Sequence, residues 1–167
     1  MDCLIVDGYN VIHSWGDIFN LEKDSFEDCR VKLLDILSDY QGYKSCKIIV
    51  VFDAYLSASK QQREELYDNI TVVYTKENET ADNYIEKYVY NNSDKEVIRV
   101  VTSDYLQQKL VLSMGGVRMS PRELKKEVDN VKKQEKERLK LKPIQTNRLQ
   151  DNLPPDILKK FERLRRQ

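Results

Sequence analysis

Asp2-Cys3-Leu4-Ile5-Val6-Asp7-Gly8-Tyr9-Asn10 opens the chain with a short apolar run that gives out onto a carboxylate and a carboxamide. The pattern returns in Lys47-Ile48-Ile49-Val50-Val51-Phe52-Asp53 and in Val97-Ile98-Arg99-Val100-Val101-Thr102-Ser103-Asp104. Short, β-branched, nearly unbroken apolar runs read as strands covered on both faces. As neighbours in a parallel sheet, three such strands would gather their acids at one edge, beyond the carboxyl ends where ligands of these sheets bind.

Working outward, Ile70 to Tyr74 is a fourth run and a short fifth strand is expected near Val117. Helical patterns lie between them. Ser25-Phe26-Glu27-Asp28 has the form of a capping box, after which Phe26, Leu33, Leu34, Leu37 and Tyr40 recur near helical spacing until Gly42, read as the stop. Ala81, Tyr84, Ile85, Tyr88 and Val89 form one apolar helix face, and a shorter helix runs from Ser103 or Asp104 to Ser113. Strands alternating with helices indicate an α/β domain with a mainly parallel sheet. Ser120-Pro121-Arg122-Glu123 signals a further helix reaching Lys142, with a thin stripe of Leu124, Val128, Val131 and Leu139. Residues 143 to 153 read as a linker and Pro154 to Arg166 as a terminal basic helix. The expected organisation is an α/β domain over residues 1–120 and a basic helical extension over 121–167.

Composition narrows the function classes. The 167 residues are 34% charged, with a mean hydropathy of -0.66. No apolar run approaches the roughly 20 residues that span a bilayer, and Met1-Asp2-Cys3 lacks the basic start of a signal peptide, so a cytoplasmic location with no membrane partner is expected. Three widely spaced cysteines, Cys3, Cys29 and Cys46, support neither a disulfide framework nor a zinc site. The net charge of zero conceals a division: residues 120–167 hold 15 Lys+Arg against 8 Asp+Glu, leaving the remainder equally acidic. That basic tail either grips a polyanion or is a solvated helix surface. His13, the one histidine, reads as a helix-surface residue and disfavours Ser-His-Asp or two-histidine chemistry. No Gly-x-x-x-x-Gly-Lys loop exists for nucleotide triphosphates.

Asp7, Asp53 and Asp104 share a place relative to their strands, and Glu79-Thr80-Ala81-Asp82 adds two acids at the start of a helix. Hard oxygen donors without His or Cys suit Mg²⁺ or Mn²⁺, and clustered anions call for a cation. With metal bound, such a site activates water against phosphorus and needs no side-chain nucleophile. Asp7 is the first choice of ligand, with Asp82 and Asp104 completing the set and Asn10 orienting phosphate or water. Thr102 and Ser103 either bond phosphate oxygens or cap the next helix. Each acid also has a structural reading as an N-cap, strongest for Asp104 because Gln107 lies three residues on. Asp53 fits an Asx-turn, and Glu79 fits a helix N-terminus. Tyr9, Trp15 and Tyr105 are candidates for base stacking, Tyr9 equally for packing, whereas Tyr84 and Tyr88 read as core.

Asp7-Gly8-Tyr9-Asn10-Val11-Ile12, Val51-Phe52-Asp53, Glu79-Thr80-Ala81-Asp82 and Thr102-Ser103-Asp104, in this order, resemble the motifs of the YacP-like NYN-domain ribonucleases, relatives of the PIN and flap-nuclease fold. The motifs cover residues 1 to about 120, and the basic helical remainder also resembles that group. The resemblance implies a three-layer PIN-like domain and a metal-dependent endoribonuclease, in a group that includes ribosome-associated enzymes of bacterial mRNA decay. It implies Asp7, Asn10, Asp82 and Asp104 as the catalytic set, Asp7, Asp82 and Asp104 as ligands of Mg²⁺ or Mn²⁺, and Asp53 and Glu79 in support. Tyr9 and the lysines Lys125, Lys126, Lys132 and Lys133 are the expected RNA contacts, with mRNA and the ribosome as partners. Two other classes compete: a non-catalytic RNA- or ribosome-binding adaptor, and a phosphoacceptor domain on Asp53. The last ranks low, since Arg118 stands where that chemistry wants Lys and it leaves Asn10 and Asp82 without a role.

Overall fold

The computed structural model describes residues 1–54, 60–141 and 154–165, except the side chains of Leu158 and Phe161. Its strands are β1 (Asp2–Asp7), β2 (Lys47–Phe52), β3 (Arg63–Tyr67), β4 (Ile70–Tyr74), β5 (Val97–Val101) and β6 (Val117–Met119). The helices are α1 (Gly8–Ser14), α2 (Phe26–Lys44), α3 (Ala81–Asn92), α4 (Tyr105–Ser113), α5 (Pro121–Leu141) and α6 (Pro155–Arg165). One six-stranded sheet results, ordered β3-β4-β2-β1-β5-β6, parallel except for β3.

The unbroken apolar runs are explained by burial on both faces. In β1, Leu4 and Val6 point into a core shared with Val11, Ile12, Leu33, Leu37, Tyr40, Leu124 and Val128, from α1, α2 and α5. Cys3 and Ile5 point the other way, into a core with Ala81, Ile85, Val89 and Val111 from α3 and α4. β2 alternates in the same register, with Ile48, Val50 and Phe52 on the first face and Ile49 and Val51 on the second. Each fully buried Leu, Ile or Val contributes about 1.5–3 kcal/mol, so the sheet between two helical layers is where this unit gains its stability.

Three features depart from the sequence reading. β3 was not expected: Arg63-Glu64-Glu65-Leu66 is exposed and charged, as befits an edge strand paired on one side only. α1 begins immediately after Asp7, and Gly8 permits this because a Cβ there would overlap the Phe52 ring. α2 does not stop at Gly42 but continues to Lys44. A Cβ at Gly42 would meet nothing within 4 Å, so its cost is that of propensity alone, about 1 kcal/mol against Ala. The buried stripe of Cys29, Leu33, Leu34, Leu37 and Tyr40 outweighs that, and the helix ends at Ser45 in the left-handed region, φ 52°.

The capping box at α5 forms as read. Ser120 N–H donates to Glu123 Oε2 at 2.6 Å, and Glu123 N–H donates to Ser120 Oγ at 3.1 Å. The expected end of this helix at Lys142 and the linker 143–153 lie outside the described residues, as does Arg166. The chain divides into two compact units, Met1–Lys132 and Lys133–Gln167. The first turns of α5 belong to the first, with Leu124, Val128 and Val131 buried. No described helix is long and apolar enough to cross a membrane.

Candidate active site

β1 lies between β2 and β5, where the chain, having built outward through β2 and β4, crosses back to add β5 on the other side. Register aligns the strand ends: Asp7 pairs with Val51 and Val6 with Val101. Asp7 therefore stands at the rim, Asp53 just past β2 and Asp104 just past β5. Asp82 arrives from the first turn of α3, whose N-cap Thr80 accepts the Asn83 N–H at 3.1 Å.

Two of these four acids, Asp7 and Asp82, feel the charge of the others. Burial pushes the Asp7 carboxyl from 3.8 up to about 7; the Asn10 amide pulls against this, and the charges of Asp82, Asp53 and Asp104 add to the rise. Asp82 is raised too, by burial first and then by Asp104, with the Gln107 carboxamide opposing and Asp53 adding. Among these influences the opposing groups are amides, not cations. The donor set is all oxygen and negatively charged, which suits a hard divalent ion. In the present side-chain arrangement, however, no three Asp, Glu, His or Cys side chains among the described residues stand close enough together to hold a metal.

Caps account for that arrangement. Asp7 Oδ1 accepts the Asn10 N–H at 3.3 Å, and Asp104 Oδ1 accepts the Leu106 and Gln107 N–H groups at 2.8 and 3.3 Å. The cap and the shared acidic rim are thus simultaneous properties of the same residues. Asn10 is fully engaged with Ser103: its Oδ1 accepts the Ser103 N–H at 2.8 Å and its Nδ2 donates to Ser103 Oγ at 2.9 Å. In this state it is a bracket between the ends of β1 and β5. Thr102 is buried and its Oγ1 accepts the Asp104 N–H at 3.1 Å, so it too holds the turn.

Other expected residues are placed differently. Glu79 is buried; its Oε1 pairs with Lys87 at 2.8 Å, while its Oε2 has no hydrogen-bond partner among the described residues. Trp15 is buried and donates from Nε1 to Pro121 O at 2.8 Å, so it is an anchor rather than a stacking platform. Tyr9 is half-buried, packed edge-on against Phe26 and Phe52, with its hydroxyl accepting from Arg30 Nη1 at 3.1 Å. Tyr105 is exposed, with Lys109 over its ring at 4.6 Å. His13 is exposed, as read. Lys125 is partly exposed and bound to Asp17, while Lys126, Lys132 and Lys133 are exposed.

The sequence reading missed two residues. Gln107 is only 2% exposed, and its carboxamide lies near enough to Asp82 to lower that carboxyl. Yet neither its Nε2 nor its Oε1 meets the geometry of a hydrogen bond. Its position in the Asp104 capping pattern was the one available signal, and that pattern explains its backbone, not its side chain. Arg30, one turn after Phe26, holds the Tyr9 hydroxyl and lies 6.0 and 5.8 Å from the Phe52 and Tyr74 rings, beside the same rim.

Comparison with known proteins places these features in a wider set. A family model described as YacP-like NYN domain matches residues 4–166. The chain is 37% identical to the Bacillus subtilis (strain 168) protein YacP over 167 residues, 99% of this chain and 98% of that protein. It is also similar to the crystal structure of Rae1 (YacP) from Bacillus subtilis, with a TM-score of 0.73 and 37% identity over 99% of this chain and 95% of that one. The W164L mutant of that protein gives a TM-score of 0.72 and 38% identity, covering 84% and 82%.

Proposed function

The chain belongs to the YacP-like NYN family, and from that membership together with its acidic rim we propose that it is a metal-dependent endoribonuclease hydrolysing RNA phosphodiester bonds. The observation that carries the reading is the field at Asp7, whose carboxyl is pushed up to about 7 by burial and by three neighbouring carboxylates. A fold that leaves such charges facing one another has a site suited to an external cation.

Asp7, Asp82 and Asp104 would hold Mg²⁺ or Mn²⁺, the carboxylates of Asp7 and Asp104 leaving their present caps by side-chain rotation. When bound, the ion supplies Lewis acidity that activates water and offsets charge on the departing 3′ oxygen. The chain's own residues do the rest. Asp53 adds negative charge to the rim, and the Asn10–Ser103 bracket fixes the distance between the β1 and β5 ends. Glu79 supports indirectly, by pinning the approach to α3 through Lys87. The exposed lysines Lys126, Lys132 and Lys133, with Lys125 and the half-buried Tyr9, bind flanking RNA through phosphate contacts. In this reading the substrate is mRNA, cut in the cytoplasm in association with the ribosome, and the basic extension contacts RNA there.

A second reading, a non-catalytic RNA- or ribosome-binding adaptor, is favoured by one observation: the described acids do not stand as a ready three-ligand group. Incubating wild type and Asp7→Asn with RNA and with translating ribosomes, with and without EDTA, separates the two. The enzyme reading expects EDTA-sensitive cleavage by wild type alone. Equal cleavage by both proteins would sink it, and tight binding without any cleavage would establish the adaptor.

A further inference from the structure

Beside the acidic rim lies a cavity whose lining includes two cations, Arg122 and Lys125, and one carboxylate, Asp17. Its volume is about 340 Å³, and it is lined by Ser14 and Trp15 at the end of α1, by Ser103, and by Arg122 and Lys125 on the first turns of α5. Ser103 is the residue bracketed by Asn10, so cavity and acidic rim share a wall. Two hydrogen bonds brace this wall: Trp15 Nε1 donates to Pro121 O at 2.8 Å, and Ser14 Oγ donates to Asn10 O at 2.7 Å. Cations on α5 are thereby fixed relative to the strand ends that carry Asp7 and Asp104.

The charges define the ligand. A polyanion whose reacting phosphate lies at an acidic, metal-filled rim still needs cations for its neighbouring phosphates. Arg122 and Lys125 supply two at one edge of that rim. The amides at the start of α5 do not account for anion binding, because Ser120 and Glu123 already occupy each other in the capping box. Lys125 is covered by an ion pair with Asp17, a carboxylate that is 61% exposed and so free to swing into water.

We infer that this cavity is a phosphate–ribose subsite for the nucleotide next to the scissile bond, in which Arg122 and Lys125 bind the phosphodiester and Asp17 is the competing anion it displaces. The inference rests on the ribonuclease reading for its substrate class. Asp17 bound to Lys125 is the empty state of the subsite. RNA binding exchanges one oxyanion for another at Lys125 and adds the fork of Arg122.

The sequence contains a single tryptophan, Trp15, so its emission reports on this cavity. Full-length Asp7→Asn protein is titrated with a short oligouridylate at low salt, following Trp15 fluorescence. A saturable change is expected, with affinity about five- to tenfold weaker when Arg122→Ala or Lys125→Ala is added. Asp17→Asn is expected to tighten binding about two- to fivefold, a gain that misfolding cannot produce. Lys95→Ala, in the turn between α3 and β5, serves as the unaffected control. Unchanged affinity in Arg122→Ala and Lys125→Ala, or weaker binding in Asp17→Asn, overturns the subsite. If wild-type cleavage is EDTA-sensitive while these affinities do not move, the subsite alone fails. If the affinities move as expected while no condition yields cleavage, the cavity is an RNA-phosphate site but not one beside a scissile bond, and the ribonuclease reading fails.

Discussion

The two rims of the sheet treat their acids in opposite ways. At the rim where β2 and β5 begin, Glu96 accepts a hydrogen bond from the Tyr88 hydroxyl at 2.6 Å, Lys47 Nζ donates to the same hydroxyl at 2.7 Å, and Lys47 and Glu96 are 4.0 Å apart. At the rim where β1, β2 and β5 end, burial and the charges of neighbouring aspartates raise Asp7 and Asp82, and amides are what oppose the rise. The chain therefore neutralises a carboxylate with its own lysine where the role is structural, as it also does for Glu79 with Lys87. Asp7 and Asp82, raised by the acids around them at the side where such folds bind ligands, are the ones to assign to function.

Breaking the acidic rim gives the largest expected effect. Asp7→Asn or Asp82→Asn lowers the initial rate of Mg²⁺-dependent RNA cleavage by more than about a thousandfold. Gln107→Leu comes next, with a loss of about 10- to 100-fold, the range for groups that orient a ligand without touching the ion. Because neither amide atom of Gln107 meets hydrogen-bond geometry although the carboxamide lies close enough to Asp82 to lower it, an apolar side chain costs little stability, and a raised half-saturating Mg²⁺ concentration distinguishes positioning from packing.

A third expectation concerns pH. The folded protein holds the Asp7 proton more tightly than the unfolded chain does, since its carboxyl rises from 3.8 to about 7. The associated stability is complete below the lower value and is lost as pH climbs through the upper one. In metal-free buffer Asp7→Asn should thus be more stable than wild type at about pH 8, by on the order of 1–3 kcal/mol in urea unfolding, and show no such gain near pH 4. The smallest effect belongs to the compensated rim. Lys47→Met should cost about 1 kcal/mol or less and leave cleavage within about twofold. Loss of activity there comparable to that of Gln107→Leu would erase the contrast between the rims.

Much of this was legible in the sequence. The runs at Leu4, Ile48, Ile70 and Val97 announced a sheet buried on both sides, and an Asp after three of them announced the rim. β3 was not legible because an edge strand needs no apolar face: Arg63-Glu64-Glu65 carries charge where a central strand carries valine. Gly42 misled because propensity is a local quantity, whereas the stripe from Cys29 to Tyr40 is held by the core. Glu79 sits in a motif beside Asp82, but sequence proximity does not say which way a side chain turns. Its partner Lys87 lies eight residues on, outside the spacings at which helix neighbours are read. The bracket between Asn10 and Ser103 was not legible because the two are 93 residues apart.

The central claim is that the carboxyl-terminal rim binds a divalent cation through Asp7, Asp82 and Asp104. Titrating metal-free wild type, Asp7→Asn and Lys47→Met with Mn²⁺ in a calorimeter at neutral pH, while following bound Mn²⁺ by its loss of free-ion paramagnetic resonance signal, tests it without reference to activity. The expected result is saturable binding by wild type and Lys47→Met that releases protons, because Asp7 must ionise fully to bind, and no binding at that site by Asp7→Asn. Equal Mn²⁺ uptake by all three proteins, or none by wild type, would contradict it.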